Sequence, residues 1–425
     1  MCEKTQQEQR DIETAIEIQV ERTQKRKTWR EPRRNIFRLF STYLGFLIYG
    51  MNDSTVGALL PSIETYYGLN YTTVSLIFLA PAIGCVLAAF STNRLHSKIG
   101  RRGVGLLSCG SYTIAYAIVS FHPPFPAIFL LYIITGFGSG LMNGSWNSYV
   151  SGLTNSSSLL GFLHGFFGIG ATISPIIASK LVASGIPWYK YYYILTGLSA
   201  MTTAILVTAF WEETGTVYCQ QHAGSSGITG GRTLKVVKSK VTILLSAFML
   251  LYLGCELSIG GWIVTFMIRV RGGEEFRSGL VASGFWIGLT LGRFALGWVT
   301  GHFGEFFMVT IYIVLAIGLQ LCFWLIPQFV VSAVMVAMIG FFIGMPIPAA
   351  IVVVTKTLPP ELHVIAVGFS TAFAVSGSAV VPFVVGALAQ SNGVQILQPI
   401  IVALLAAQLG LWLFVPRVAE EKQGE

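Results

Sequence analysis

Apolar stretches long enough to cross a lipid bilayer follow one another along nearly the whole chain. A transmembrane helix needs roughly 20 predominantly apolar residues, and the stretches are separated by charge clusters, Pro/Gly pairs and Asn/Ser runs, which end helices. Twelve spans are predicted, at residues 38–66, 71–92, 104–122, 125–150, 159–183, 188–211, 241–268, 277–301, 305–326, 328–355, 361–390 and 394–416. Only 11% of the 425 residues are charged, whereas about one-quarter are charged in soluble domains. The chain is therefore predicted to be an all-α polytopic membrane protein.

Lysine and arginine gather at one set of span ends. They precede the first span and follow the second and the sixth, at Arg22, Lys25, Arg26, Lys27, Arg30, Arg33, Arg34, Arg38, Arg94, Lys98, Arg101, Arg102, Arg232, Lys235, Lys238 and Lys240. Because basic flanks stay in the cytoplasm, we expect a multi-pass plasma-membrane protein with both termini cytoplasmic. Arg269, Arg271 and Arg277, after the seventh span, are the exception. The basic residues that set the orientation in the membrane, and that are able to contact anionic lipid, account for the net charge of +8. We therefore expect no nucleic-acid partner.

Two polar segments divide the chain. Residues 1–35 are charged and rich in glutamine, which predicts a disordered cytoplasmic tail. Residues 212–240 contain GSSGITGG and are predicted to form a flexible cytoplasmic linker. We therefore expect an N-terminal six-helix bundle at residues 36–211, a C-terminal six-helix bundle at residues 241–416 and a cytoplasmic tail at residues 417–425.

The sequence has no signature of enzyme chemistry or of a cofactor. Its six cysteines are scattered and lack the spacing of metal ligands. The chain also has neither a Walker-type nucleotide loop nor a nucleophile motif. We expect a protein that is not an enzyme, binds no metal or cofactor and functions as a monomer.

One half of the chain repeats the other. An offset of 204 positions aligns GFGSG, which begins at Gly136, with GFFIG, which begins at Gly340, and it aligns Gly100 with Gly304. An offset of 207 aligns GATISP with GSAVVP. Repeats of this kind occur in transporters, where the solute site lies near the bilayer midplane at the interface between the repeats. The repeat therefore predicts two pseudo-symmetric bundles that rock against each other.

Each repeat carries an acidic residue near the middle of its first span. An offset of 203 places Asp53 and Gly57 on Glu256 and Gly260. A charged residue at this depth costs roughly 2.5–3.5 kcal/mol and usually faces a cavity or a partner, and a carboxyl group there is able to exchange a proton near neutral pH. Asp53 and Glu256 are candidates for proton coupling or for binding solute hydroxyls. The alternative is a structural role, with hydrogen bonds to polar neighbours such as Asn52.

The fourth and fifth spans add polar side chains to the candidate site. Asn143 and Asn147 share a helical face with two glycines, and their carboxamides suit either a polyol or a hydrogen-bonded seam between helices. Trp146 is a candidate for stacking on a sugar ring, with packing as the alternative. His164, about one turn inside the fifth span, is a candidate for proton relay or solute binding, against a structural role.

Two features of the second half bear on gating and charge. Pro346 and Pro348 follow Gly344 in the tenth span and are expected to interrupt its helix. Broken helices of this kind often act as gates. Arg293, in the eighth span, is expected to snorkel to the membrane interface, with a role as a counter-ion as the alternative.

The loop between the second and third spans contains a family motif. LHSKIGRR, at Leu95–Arg102, resembles the loop signature Gly-x-Leu-x-Asp-Arg-x-Gly-Arg-Arg of the major facilitator superfamily, and GWVTGHFGEF is a degenerate copy in the second half. The candidate gating residues at matching positions are Lys98, Gly100, Arg101 and Arg102. Asn93 and Ser97 replace the Gly and the Asp of the signature, so the charge relay that the family builds on that Asp lacks its acid. The two arginines then contact helix ends or lipid phosphate, or they only mark the topology.

Within that superfamily, the chain resembles the fucose-permease-type hexose transporters and their fungal relatives. The similarity lies in Asp53, in GLMNGSWNSYV of the fourth span, in LHGFFGIGA of the fifth, and in ELSIGGW and GRFALG of the seventh and eighth. It implies a proton-linked sugar carrier. The bacterial sugar member has its second acid in the fourth span, where this chain has asparagines, so the resemblance leaves the solute open.

The function predicted from sequence is secondary active transport of a small organic solute by alternating access, coupled to protons or another ion. Uptake of a hexose or polyol competes with export of a secondary metabolite or toxic compound, and the Asn-rich fourth span favours uptake. A non-transporting sensor with the same fold is the remaining alternative, although it would not need paired acids within the membrane.

Overall fold

The computed structural model of the protein describes residues 29–30, 32–221, 239–358 and 360–415, and its regular structure in these ranges is helical. The predicted tails and the GSSGITGG segment lie largely outside the described residues. The α-helices are α1 (Arg34–Tyr67), α2 (Tyr71–Val119), α3 (Phe125–Ser151), α4 (Ser156–Ala183), α5 (Tyr191–Ala209), α6 (Gly215–Gln221), α7 (Lys240–Arg269), α8 (Glu275–Phe303), α9 (Glu305–Leu325), α10 (Phe329–Ile343), α11 (Pro346–Thr357), α12 (Pro360–Asn392) and α13 (Leu397–Leu413). Short 3₁₀ helices, Trp188–Lys190 and Val394–Ile396, precede α5 and α13.

Helix α2 contains two membrane spans joined at a glycine. It has 49 residues, which at 1.5 Å per residue is roughly 70 Å, more than twice the hydrocarbon thickness of a bilayer. At Gly100 the backbone has φ 68° and ψ −173°, a conformation that glycine adopts far more easily than residues with a Cβ atom. The chain therefore turns back at Gly100, between the predicted second and third spans.

The remaining helices agree with the predicted spans. Within the described ranges, ten helical segments are long and apolar enough to cross a membrane, with the whole of α2 taken as one of them. Helix α1 and the two arms of α2 make the set consistent with twelve crossings. The predicted interruption of the tenth span is confirmed, because α10 ends at Ile343 and α11 begins at Pro346.

Equivalent glycines pack the helices within each half. Gly136 and Gly140 of α3 meet α2 at Pro81 and Cys85, and Gly340 and Gly344 of α10 meet α8 at Phe285 and Leu289. The offset of 204 positions that relates the glycines also relates their partners. Gly170 and Gly377, from GATISP and GSAVVP, likewise pack on Leu47 and Leu250, which an offset of 203 relates. Small residues let helices approach closely in a membrane, so the repeat is a repeat of helix packing.

The two halves are in close contact at one end of the molecule. We call the end at which α1 begins the near end and the end at which it finishes the far end. At the far end, Glu64 Oε2 lies 3.7 Å from Arg269 Nη2, and the Tyr71 amide donates to Gln390 Oε1 at 2.9 Å. A cavity between the halves beside Pro61 and other far-end residues has a volume of about 10 Å³, about enough for one water molecule. The far end is thus closed.

Part of the predicted linker belongs to the N-terminal half. Helix α6 follows α5 at the near end, and Gly215, its first residue, packs on the carbonyls of Ser97 and Lys98. The Cys219 thiol donates to the Ser97 carbonyl at 3.6 Å. Residues 213–221 therefore cover the loop between the arms of α2, and residues 222–238 of the predicted linker lie outside the described residues.

Candidate functional site

The first helices of the two halves cross at a pair of glycines. A Cβ atom on Gly57 of α1 would lie 2.0 Å from the Gly260 carbonyl oxygen of α7, so the two backbones touch. Asp53 and Glu256 each lie four residues before these glycines, which is one helical turn toward the near end on the same face. The crossing therefore brings the two acids together at the interface between the halves, close enough for their charges to interact.

Asp53 is held by neighbours in its own half. The Asn52 side-chain amide donates to Asp53 Oδ1 at 3.0 Å, and the Tyr116 hydroxyl donates to Asn52 Oδ1 at 2.8 Å. Asn52 and Tyr116 are buried, whereas Asp53 is partly exposed. Asn52 thus acts as a support for Asp53.

Glu256 pairs with an arginine of α8. Its Oε2 atom lies 3.5 Å from Arg293 Nη2, and the two side chains are 3% and 22% exposed. Arg293 was expected to snorkel to the membrane interface, and this prediction is wrong, because the side chain turns inward to a buried carboxylate. Removing a counter-charge from a buried ion is costly, which explains why the arginine stays at this depth.

Tyr252 connects this ion pair to the break between α10 and α11. Its hydroxyl donates to the Ile343 carbonyl, the last residue of α10, at 2.5 Å. It also lies within interaction range of Glu256 and Arg293. A carbonyl at a helix end lacks its usual partner, and Tyr252 supplies one. The charged pair and the broken helix therefore share a single hydroxyl group.

A second tyrosine occupies the equivalent place in the first half. Tyr49 precedes Asp53 by the same four residues that separate Tyr252 from Glu256, and it lies within charge range of both acids. The sequence thus repeats a pattern of tyrosine, acid and glycine spaced four residues apart, one turn each. Periodicity within the repeat would have identified both tyrosines, which the sequence analysis missed.

His164 joins the group from α4. The side chain is exposed, its ring lies 5.4 Å from that of Phe46, and Arg293 is within charge range. An imidazole beside a guanidinium is able to accept or donate a hydrogen bond. The structure therefore places His164 beside Arg293, the partner of Glu256.

The other candidates from the fourth span lie elsewhere. Asn147 donates to Asn143 Oδ1 at 2.5 Å and to the Asn143 carbonyl at 2.9 Å, so the two carboxamides satisfy each other along α3. Trp146 is fully buried and stacks on Phe210 with ring centroids 4.9 Å apart. Trp146 thus packs inside the N-terminal half and does not present a face to a solute in this conformation.

The family follows from a comparison over the length of the chain. The family model of the Major Facilitator Superfamily matches residues 42–382 and 275–425. The chain belongs to the Major Facilitator Superfamily. It is accordingly a multi-pass integral membrane protein of a transporter family, and the all-α architecture of two six-helix bundles is the fold of that family.

Individual members of the superfamily resemble the chain to different degrees. The "Bypass of stop codon protein 6" of Saccharomyces cerevisiae is 29% identical over 403 residues, which are 88% of this chain and 81% of that protein. A variant of the nucleoside transporter NupG superposes with a TM-score of 0.73 at 18% identity, covering 90% of this chain and 100% of the other. A D-xylose-proton symporter superposes with a TM-score of 0.72 at 14% identity, covering 90% and 98%. These two structures share the fold.

The loop that resembles the superfamily signature, Leu95–Arg102, lies at the near end, and an acidic residue from another part of the chain pairs with it. Glu213, which follows α5, is 5% exposed, and it accepts from Arg101 Nη1 at 2.7 Å and from Arg38 Nη1 at 2.9 Å. A Cβ atom on Gly100 would lie 2.2 Å from the Glu213 carbonyl oxygen, so glycine is required there for close approach as well as for its backbone angle. The sequence analysis missed Glu213, which is one of few acids beside a span.

The remaining loop residues take different roles. The Arg102 guanidinium lies 3.9 Å from the centroid of the Trp211 ring, and its backbone amide donates to the Glu213 carbonyl at 3.2 Å. Lys98 is exposed. Arg101 and Arg102 therefore fix the segment after α5 against the loop, which is more than marking the topology.

Proposed function

We propose that the protein is a proton-coupled secondary transporter of a small, sugar-like organic solute and that it works by alternating access. The observation that carries the proposal is the meeting of Asp53 and Glu256, one from each half, one turn below the crossing of α1 and α7. Membership of the superfamily supports transport, and the position of the acids supports the coupling.

The chemistry of coupling follows from the charges at the interface. Two carboxylates and one guanidinium leave an excess of negative charge in a region of low dielectric, which a proton relieves. A proton taken up on one acid relieves the repulsion between the two carboxylates and so changes the interaction between the halves, because the acids belong to different bundles. Binding and release of the proton are thereby linked to the relative position of the halves.

The solute class is proposed from two directions. The polar side chains near the interface suit hydroxyl groups, which donate and accept hydrogen bonds. The similar structures are named for D-xylose and for nucleosides, and both kinds of compound contain a pentose. Together with the sequence likeness to fucose-permease-type transporters, this favours a sugar-like solute taken up with a proton, carried by a monomer.

The test is uptake into vesicles that contain the purified protein, with and without an imposed pH gradient. The labelled panel comprises D-xylose, D-glucose, L-fucose, D-mannitol, uridine, a dipeptide and lactate. We expect gradient-stimulated accumulation of at least one sugar or polyol. Asp53→Asn and Glu256→Gln should insert normally and lose this stimulation, whereas Glu305→Gln, a near-end acid paired with Lys356, should keep it.

Each outcome of this test has a distinct meaning. Accumulation that is equal in both acid variants and in the unmodified protein would refute the coupling role. Failure to move any panel compound, with or without a gradient, would favour the sensor interpretation over transport. Efflux that exceeds uptake would favour the exporter.

A further inference from the structure

The ion pair of α7 and α8 leaves one donor and one acceptor unused. Glu256 Oε2 and Arg293 Nε are both buried, and neither makes a hydrogen bond of good geometry in the described part of the chain, although the Tyr252 hydroxyl, which donates to the Ile343 carbonyl, lies within interaction range of both side chains. Buried polar atoms are nearly always hydrogen-bonded, and each exception needs an explanation. Here two exceptions occur on adjacent side chains at the interface between the halves.

The geometry of the pair explains why both atoms stay unused. Arg293 Nη2 and Glu256 Oε2 are 3.5 Å apart, whereas a direct charge-assisted bond is about 2.7–2.9 Å long. The guanidinium therefore does not close on the carboxylate in the two-pronged way that arginine favours. Leaving a buried charged group without its hydrogen bond is costly, and a bound group would recover that cost.

We infer that Glu256 Oε2 and Arg293 Nε form a subsite that binds one hydroxyl group of the solute, with the hydroxyl donating to Glu256 and accepting from Arg293. This inference rests on the proposed function and assigns the solute contact to the C-terminal half. Asp53, supported by Asn52 and Tyr116, then remains the acid that is free of a basic partner within hydrogen-bonding range among the described residues.

A hydroxyl fits this arrangement better than the other common polar groups. A solute carboxylate would be repelled by the negative charge of Glu256, and a solute ammonium would be repelled by the positive charge of Arg293. A hydroxyl donates and accepts through a single oxygen atom, which matches two unused atoms on adjoining side chains. Sites that hydrogen-bond a solute hydroxyl reject analogues that lack it, because the buried protein groups are then left unpaired.

The experiment combines a change in the protein with a change in the solute. Binding of D-glucose, D-xylose and the monodeoxy derivatives of D-glucose is measured on purified protein in nanodiscs, for the unmodified chain and for Arg293→Lys, which keeps the charge and loses the Nε donor. We expect Arg293→Lys to weaken binding of the parent sugar roughly 10- to 100-fold. One deoxy derivative should bind the unmodified protein more weakly than the parent sugar does, by the same factor. Arg293→Lys should not weaken the binding of that derivative any further.

Controls separate the subsite from a structural ion pair. Arg277→Lys, at an exposed far-end arginine, should leave binding unchanged. If the pair is structural, the neutral double variant Glu256→Gln/Arg293→Gln should regain the parent affinity, whereas a subsite predicts that it does not. Glu256→Gln alone serves as the second single variant if Arg293→Lys fails to fold.

Two results would overturn the inference. One is that Arg293→Lys weakens the binding of every deoxy derivative by the same factor as it weakens that of the parent sugar, so that the two losses of affinity simply add. The other is transport of lactate or the dipeptide with no binding of any sugar, which would leave proton-coupled transport standing while removing the hydroxyl subsite. Absence of transport for every compound would instead refute the proposed function.

Discussion

Tyr116 is the residue through which the N-terminal half controls the orientation of Asp53. Its hydroxyl fixes the Asn52 carboxamide, which donates to Asp53. In Tyr116→Phe the carboxamide is free to turn, and the charged form of Asp53 loses a hydrogen bond. Protonation then becomes easier, so we expect the pH at half-maximal gradient-driven uptake to rise, measured as initial rates across a pH series.

A neighbouring tyrosine provides the matched control for that shift. Tyr112 is equally buried and stacks on Tyr116 with centroids 5.7 Å apart, but its hydroxyl bonds to Ser139 at 2.6 Å. Tyr112→Phe should therefore leave the pH profile in place. An equal shift in both variants would mean that general loosening of the tyrosine cluster, and not the Asn52 hydrogen bond, sets the profile.

Glu213 is the residue on which the near-end loop depends for stability. Glu213→Gln removes the charge that Arg38 and Arg101 share, and we expect it to cost about 2 kcal/mol, since hydrogen bonds to charged groups are the stronger ones. The adjacent Glu212, which pairs with Arg34 and whose side chain is 68% exposed, is the control. Glu212→Gln should cost less than about 0.5 kcal/mol. The midpoints of thermal denaturation of the two variants are measured in detergent. Equal midpoints for Glu213→Gln and Glu212→Gln would contradict the stabilising role of Glu213.

Sequence alone singles out residues whose type is costly within a membrane, and it fails where the orientation of a side chain decides. Asp53 and Glu256 stand out because a carboxylate within a membrane is expensive, and the helix register then places them together. Arg293 is equally costly, but its long side chain is able to reach either the membrane interface or the protein interior. The sequence alone does not show that Glu256 lies beside it. Trp146 shares its sequence neighbourhood with Asn143 and Asn147, and only the packing of α3 shows that it faces Phe210.

At the scale of helices, the crossing of α1 and α7 sets the closed far end. Gly57→Ala places a Cβ atom 2.0 Å from the Gly260 carbonyl oxygen, and overpacking of this kind costs roughly 1–3 kcal/mol. The helices must separate, so we expect the far end to open more often. Pulsed electron spin resonance between labels at Ser184→Cys and Glu274→Cys, both exposed far-end positions, should show a population at longer distance.

Gly144→Ala in α3 is the matched control for this change, because no atom lies within 4 Å of its added Cβ. It should leave the distance distribution unaltered. A Gly57→Ala distribution that coincides with that of the unmodified chain would show that the crossing does not hold the far end closed. The glycine repeat predicts such contacts in general, whereas their partners come only from the three-dimensional packing.

At the scale of the whole molecule, the two halves use equivalent contacts internally and different ones where they meet. The packing of α3 on α2 and of α10 on α8 obeys one offset. Among the described residues, however, only those of the second half place a guanidinium beside the acid and break a helix, between Ile343 and Pro346. The pseudo-symmetry therefore gives both halves the same scaffold. The departures from it give the two acids different chemical surroundings.

The arginines that conflict with the positive-inside pattern have far-end partners. Arg269 pairs with Glu64, and Arg277 lies 3.8 Å from Glu274. Arg271 donates to the Phe323 carbonyl at 2.8 Å, near the C-terminal end of α9, where basic side chains are favourable. These residues therefore have structural uses that do not depend on which side of the membrane they face. The prediction of a cytoplasmic near end consequently rests on the basic clusters around α1 and the α2 loop.

That orientation is open to a direct test with one near-end and one far-end thiol. Cys219 is exposed at the near end, and Arg277→Cys places a thiol at an exposed far-end position; Cys2, Cys85, Cys109, Cys255 and Cys322 are replaced by serine. We expect a membrane-impermeant maleimide added to intact cells to label Arg277→Cys and to reach Cys219 only after permeabilisation. The opposite pattern would invert the molecule, and the closed far end would then face the cytoplasm.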